Sequence, residues 1–252
     1  MHLCLRVPGL ILAAFVSILV ACGDEPVRSV RDVHRVAVVP VAGETIQLAR
    51  VGRLPFANRR AQLDASNWDL RDETYRAVKD VLERGGRYLV SRLDASPDAF
   101  PALHAAAGQG ACRERSARRE LSRLASLCAC DALLLIIDDR RQLETDGAQY
   151  FQGYSWVGQA GVAGSDVSAS QAVVALRAVL VDARTQKVIG ERRNDEPGGY
   201  PGVPRGPVDA RWWPADMATV GRAERERLEP VFVALTHDTV RRAVQGTGLL
   251  AR

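Results

Sequence analysis

Residues 172–193 read AVVALRAVLVDARTQKVIGERR, and the fold is decided there. The first ten residues are almost wholly apolar and valine-rich. KVIGERR (187–193) is a shorter second run. Between them, Asp182-Ala183-Arg184-Thr185-Gln186 is polar and turn-forming, so the stretch predicts an antiparallel hairpin. Working outward, ALLLIID (132–138) and RVAVVPV (35–41) are compact apolar runs without alternation. Such runs lie inside a sheet covered on both faces. YLVSRL (88–93) predicts a further strand.

Helical spacing separates these strands. Ser66 and Asp69 resemble a capping box, Leu70, Thr74, Ala77, Val78 and Val81 line one face, and Gly85-Gly86 ends the segment. Ala117, Leu121, Leu124 and Cys128 recur at four- and three-residue steps across 113–127. Leu228, Phe232, Leu235 and Thr239 do the same in a final helix within 221–246. Residues 42–63 predict a loop, 95–110 a loop or short helix, 144–170 a strand followed by a mobile loop, and 195–220 an irregular loop. The order predicts an α/β fold: one domain over 35–252, with a mixed sheet of about five strands and three main helices.

The amino-terminal segment has a different character. One positive charge, Arg6, precedes an apolar run over 10–21 broken only by Ser17. The run is shorter than the roughly 20 residues that span a bilayer and has the layout of an export signal. It ends in Leu19-Val20-Ala21-Cys22, which resembles the bacterial lipobox. That resemblance implies a lipoprotein signal peptide over 1–21, cleavage before Cys22, a diacylglycerol on the Cys22 thiol and further acylation of its freed amine. Residues 22–34 then form a lipidated tether. Asp24 stands one place beyond the position where aspartate retains enteric lipoproteins at the inner membrane, so the expected location is the outer membrane, facing the periplasm.

Composition narrows the function. The net charge is only +4 and the basic residues are dispersed; several are interleaved with glutamates at helical spacing. Nucleic-acid binding needs a concentrated basic surface, so no nucleic-acid partner is expected. The other cysteines of the processed chain are Cys112, Cys128 and Cys130. An oxidising envelope permits a disulfide among them. A helix between Cys112 and Cys128 would hold that pair about 24 Å apart, beyond disulfide reach, and Cys128 reads as a buried core thiol.

Four segments carry a family resemblance: VAVVPV (36–41), Val81-Leu82 before Tyr88-Leu89-Val90, Cys130-Asp131-Ala132-Leu133-Leu134, and the hairpin over 179–188. Together they resemble the envelope group that includes the amino-terminal domain of TolB, the curli secretion lipoprotein CsgG and the LpoB activator of penicillin-binding proteins. Gln186 stands where that group usually has glycine. The resemblance implies a binding or assembly domain, without fixing a partner.

Catalytic and cofactor motifs are weak. Gly153-Tyr154-Ser155-Trp156-Val157 lacks the last glycine of a nucleophile elbow. No phosphate-cradling loop or zinc helix is present, and no cofactor or metal is expected. His34, His104 and His237 are scattered. Asp138-Asp139, at the end of a strand, is the alternative: two carboxylates that could serve an envelope hydrolase. The aromatics Tyr154, Trp156, Trp212 and Trp213 lie among glycines and prolines and are the candidate partner surface. The expectation is a non-catalytic, lipid-anchored binding or assembly factor with an envelope protein partner, the alternatives being the hydrolase or a subunit of a secretion complex, for which 144–170 is the only segment that could enter a membrane as strands.

Overall fold

The computed structural model describes residues 28–52, 58–109, 115–143, 149–160, 167–193, 204–217 and 219–250. Cys22 and Cys112 lie outside them. The described residues form ten strands and four helices. The strands are β1 (Arg35–Pro40), β2 (Thr45–Val51), β3 (Arg59–Asp64), β4 (Leu89–Arg92), β5 (Ala132–Asp138), β6 (Arg140–Leu143), β7 (Gln149–Ala160), β8 (Val167–Asp182), β9 (Val188–Arg193) and β10 (Arg205–Val208). The helices are α1 (Leu70–Glu83), α2 (Phe100–Gln109), α3 (Arg115–Ser126) and α4 (Arg222–Gln245). Both the strand count and the helix count exceed the expectation.

The pairing explains the excess of strands. β8, the long strand of the hairpin, is the spine. Along one of its edges β5 and β7 follow each other end to end: Asp138 faces Leu176, and Gly153 faces Ala175. Between those points the chain leaves the sheet as a ribbon, β6 against the start of β7, with Arg140 opposite Gln152. β1 and β2 are likewise consecutive, running parallel to β5 and β7 through Pro40 opposite Ile136 and Ile46 opposite Tyr154. β4 flanks β1 in parallel and β3 flanks β2 antiparallel. β9 and β10 share the remaining edge of β8. Nine of the ten pieces thus fill about five positions, with β6 in the ribbon, so the sheet holds more strands than the five that the sequence predicts.

Side-chain alternation along β8 builds the layers. Ala172, Val174, Leu176, Ala178 and Leu180 join the cluster under α1 and α4, with Val78, Leu82, Leu228 and Phe232. Val179 and Val181 point the other way, against Leu103 of α2 and Leu121 and Leu124 of α3. Residues 42–63 are not simply loop. Ile46 and Leu48 of β2 are fully buried and alternate with Thr45 and Gln47, a strand pattern too short to stand out before Ala49 and Arg50 break it. The capping box is not formed either: Asp69 is left-handed at φ +48° and its side chain caps nothing. The turn before α1 is held instead by the Trp68 N–H donating to Ala65 O and by the buried Trp68 ring.

Two carboxylates pin the incoming chain. Asp131 Oδ2 accepts the backbone N–H groups of His34 and Arg35 at 3.0 and 2.8 Å, and its Oδ1 accepts Arg28 Nη1 at 2.6 Å. Asp182 Oδ2 accepts the Arg28 N–H, while Oδ1 accepts those of Arg184 and Thr185. Burial raises both carboxyls, but these donors outweigh it and hold them below the ordinary range. The domain's packing therefore already includes Arg28, within the segment expected to be tether. In the same turn Gln186 sits at φ +54°. That conformation costs a non-glycine residue roughly 1 kcal/mol.

The structure joins Cys128 to Cys130, with Cα atoms 5.1 Å apart. Cys128 is therefore a half-buried disulfide partner and not a core thiol: α3 stops at Ser126, and the non-helical chain beyond it brings the two residues together.

Candidate functional site

The four aromatics named above separate into two groups. Tyr154 and Trp156 are only 1% and 0% exposed, so neither offers surface to a partner. The sequence reading missed this because β7 is paired on both edges, by β2 and by β8, and its even positions face α1 and α4. Tyr154 places its hydroxyl 3.1 Å from Thr236 Oγ1 and 3.3 Å from Thr74 Oγ1. Burial pushes it up to about 12, so it stays neutral. Trp156 donates from Nε1 to Ser170 Oγ, which donates onward to Val208 O at 2.9 Å. Each buried polar atom in that relay is satisfied.

Trp212 and Trp213 are half-buried and sit at the far end of β8 from the Asp182 turn. A short 3-10 turn, Ala210–Trp212, carries them. Its geometry is set by Asp209, which accepts the Arg211 N–H at 3.0 Å and grips the Arg211 guanidinium with both oxygens. Those Arg211 bonds bring the Asp209 carboxyl down to about 2. The Trp213 ring lies on Gly158 of β7, where a Cβ would come within 2.7 Å of Cε3. It also meets Trp156 at 4.8 Å between centroids, tilted by 58°. Trp212 is covered by the Arg227 guanidinium at 5.5 Å.

Beside Trp213 opens a cavity of about 390 Å³, lined by Arg50, Val167, Ala210, Arg211, Trp213, Pro214, Ala215 and Met217. Its lining combines an indole, a thioether and a proline ring with two guanidinium groups. That volume lies in the range of small-ligand pockets. A lining of aromatic, apolar and arginine side chains equally suits a protein hot spot, in which one anchoring side chain is desolvated.

The Asp138–Asp139 pair does not form a paired-carboxylate site. Consecutive strand positions project to opposite faces, and the Asp139 N–H still bonds Ala175 O in register. Asp138 packs over Gly153, whose φ of +60° and missing Cβ make room for it. Its Oδ1 is sealed from solvent without a hydrogen-bond partner. Burial, then the nearby Glu44 carboxylate, raises Asp138 to about 7. Two groups on opposite faces cannot flank one scissile bond. Ser155 is fully buried in mid-strand, so no nucleophile elbow exists there. The histidines stay apart: His34 is exposed, His104 on α2 is lowered by burial and then by Arg177, and His237 on α4 lies 3.1 Å from Glu73 Oε2. Among the described residues no three His, Cys, Asp or Glu side chains gather as metal ligands, and no helix is long and apolar enough to cross a membrane.

Fold and site together define a mixed α/β domain with a tryptophan-lined pocket at one end of its sheet. No family model matches the chain, and no curated protein does. Among solved structures it is similar to protein XCC0632 of Xanthomonas campestris, described as DUF330, at 14% identity and TM-score 0.38, covering 86% of this chain and 84% of that one. It is also similar to lipoprotein GNA1162 of Neisseria meningitidis, at 11% identity and TM-score 0.29, covering 82% and 97%. A third is the hypothetical protein CT253 of Chlamydia trachomatis, at 14% identity and TM-score 0.30, covering 82% and 97%. Scores of this size do not establish a shared fold, and the functional reading rests on the chain's own residues.

Proposed function

We propose that the chain is an exported lipoprotein, anchored through acyl groups on Cys22, whose α/β domain binds another envelope protein through the Trp213 pocket. The observation that carries the reading is the amino-terminal sequence, with its short apolar run closing on Leu19-Val20-Ala21-Cys22. Several acyl chains give durable attachment where one gives marginal attachment. Tethering also confines the domain to a membrane face and raises its effective concentration toward partners there. An outer-membrane position facing the periplasm is part of this reading, supported by the Gly23-Asp24 order after the cysteine.

The pocket supplies the binding part. Trp212 and Trp213 are held on an ordered turn, so little side-chain freedom remains to be lost on association. Trp212→Ala with Trp213→Ala is expected to cut partner capture about tenfold or more, as tryptophan hot spots do. Crosslinking in the native envelope, with mass-spectrometric identification of the captured protein, measures it. Asp138→Asn with Asp139→Asn should leave capture unchanged; loss of function in that variant, with the tryptophan variant unaffected, would favour the hydrolase alternative.

A further inference from the structure

We infer that the end of the domain where Arg28 docks lies flat on the membrane, touching anionic phospholipid headgroups, and that the Trp213 pocket points away from it. The inference rests on the lipid anchor at Cys22 and extends it to an orientation.

Chain length sets the first constraint. Five residues lie between Cys22 and Arg28, and an extended chain covers at most about 22 Å over those six steps. Arg28 is fixed to Asp131 and Asp182, so the acyl chains cannot lie far from this end of the sheet. The parallel strands define which end it is. Arg35 is in register with Leu89, and Val36 with Ala132, which faces Asp182. The starts of β1, β4 and β5 therefore meet the β8–β9 turn. The link from α1 to β4 and the link from α3 to β5 arrive at the same place.

Surface chemistry is the second, independent observation. Among the described residues the large apolar side chains that stand exposed are Leu89, at 71%, and Leu127, at 59%. Both are at this end, Leu89 opening β4 and Leu127 just beyond α3. Isolated exposed leucines are ordinary, but these two share their end with exposed Arg31, Arg35, Arg84, Arg87 and Arg184. The exposed acids beside them are Asp32, Asp80 and Glu83, fewer than the five arginines, while Asp182 is fully buried and Asp131 mostly so. A cationic rim around apolar points complements a leaflet of anionic headgroups over acyl chains. β8 then measures the standoff. Its 16 residues span about 50 Å, from Asp182 at the tether to Val167 in the pocket wall.

The test is amide hydrogen exchange on the acylated protein, reconstituted in phosphatidylcholine vesicles with and without phosphatidylglycerol. With the anionic lipid present, amides of 84–89 and 127–131 are expected to exchange up to about thirtyfold more slowly, the order expected for two arginines at a charged surface. Arg84→Glu with Arg87→Glu should remove the difference, whereas Leu89→Ser with Leu127→Ser, which leaves the charges in place, should lower protection in both vesicles and keep the difference. Acylated protein that shows equal exchange in both vesicles, or protection of the Trp213 turn instead, overturns the orientation and leaves the anchor standing. Intact mass on the same sample reads the anchor separately: a chain without acyl groups overturns both.

Discussion

Raising the pH from about 4 to above 7 is expected to remove roughly 4 kcal/mol of folding stability, and Asp138→Asn is expected to abolish that loss. The cause is the sealed carboxyl at the joint between β5 and β7. In the unfolded chain its pKa is the ordinary 3.8; in the folded protein, burial and then Glu44 raise it to about 7. Between those values the native state holds a proton that the unfolded chain has released, so alkali favours unfolding. The contribution is complete below the unfolded value and gone once the pH passes the folded one. Asp138 retains some exposed surface as a residue, so water trims the figure. Tyr154, beside it, stays neutral across this range. The lowered carboxyls of Asp131 and Asp182 act in the opposite sense and elsewhere: their stabilisation is present above the ordinary carboxylate value and lost as the pH falls through their folded values. Urea unfolding across the range measures the effect. A wild-type midpoint that does not fall with pH, or an Asn variant with the same slope, would contradict it.

Gly158→Ala is expected to unseat Trp213, at a cost of about 1–3 kcal/mol from overpacking. The added Cβ would lie 2.7, 2.8 and 2.9 Å from three atoms of the indole, and a rigid ring cannot deform to accommodate it. β7 beneath is paired on both edges, so the ring moves and the strand stays. The cavity lining goes with it, and Trp156 loses its tilted partner. Tryptophan emission should shift to longer wavelength as the indole meets water, and partner capture should drop to the level of Trp213→Ala. Alanine in a strand interior is otherwise favoured over glycine by about 0.5–1 kcal/mol. A more stable variant with unchanged emission would therefore show that Trp213 does not rest on Gly158.

Much of this architecture is legible in single segments. β5 over Ala132–Asp138 and α4 over Arg222–Gln245 follow directly from an unbroken apolar run and a helical stripe. The β8–β9 hairpin follows from two apolar runs around a polar turn, and even its awkward residue, Gln186, shows in sequence as a departure from glycine. β2 and β3 are hidden because each pairs with chain whose position no local pattern reveals. β2 lies against β7, about a hundred residues later, and its own alternation lasts only from Thr45 to Leu48. The same non-local pairing decides the aromatics. Glycines around Tyr154 and Trp156 suggest an irregular exposed segment, yet Gly153 makes room for Asp138 and Gly158 for Trp213. Trp212 and Trp213 are legible as lying outside the regular elements because proline and aspartate around them mark a turn. The cavity wall from Arg50 and Val167 comes from strands 117 residues apart in sequence and carries no local signal.

Everything proposed for this domain depends on its being held at a membrane by Cys22. Mass spectrometry of the amino-terminal peptide from protein exported in its native envelope tests that most directly. The account predicts a chain beginning at Cys22 with a diacylglycerol thioether, and a metabolic palmitate label that disappears in Cys22→Ser. A processed chain that begins at another residue, or a Cys22 without acyl groups, would contradict it.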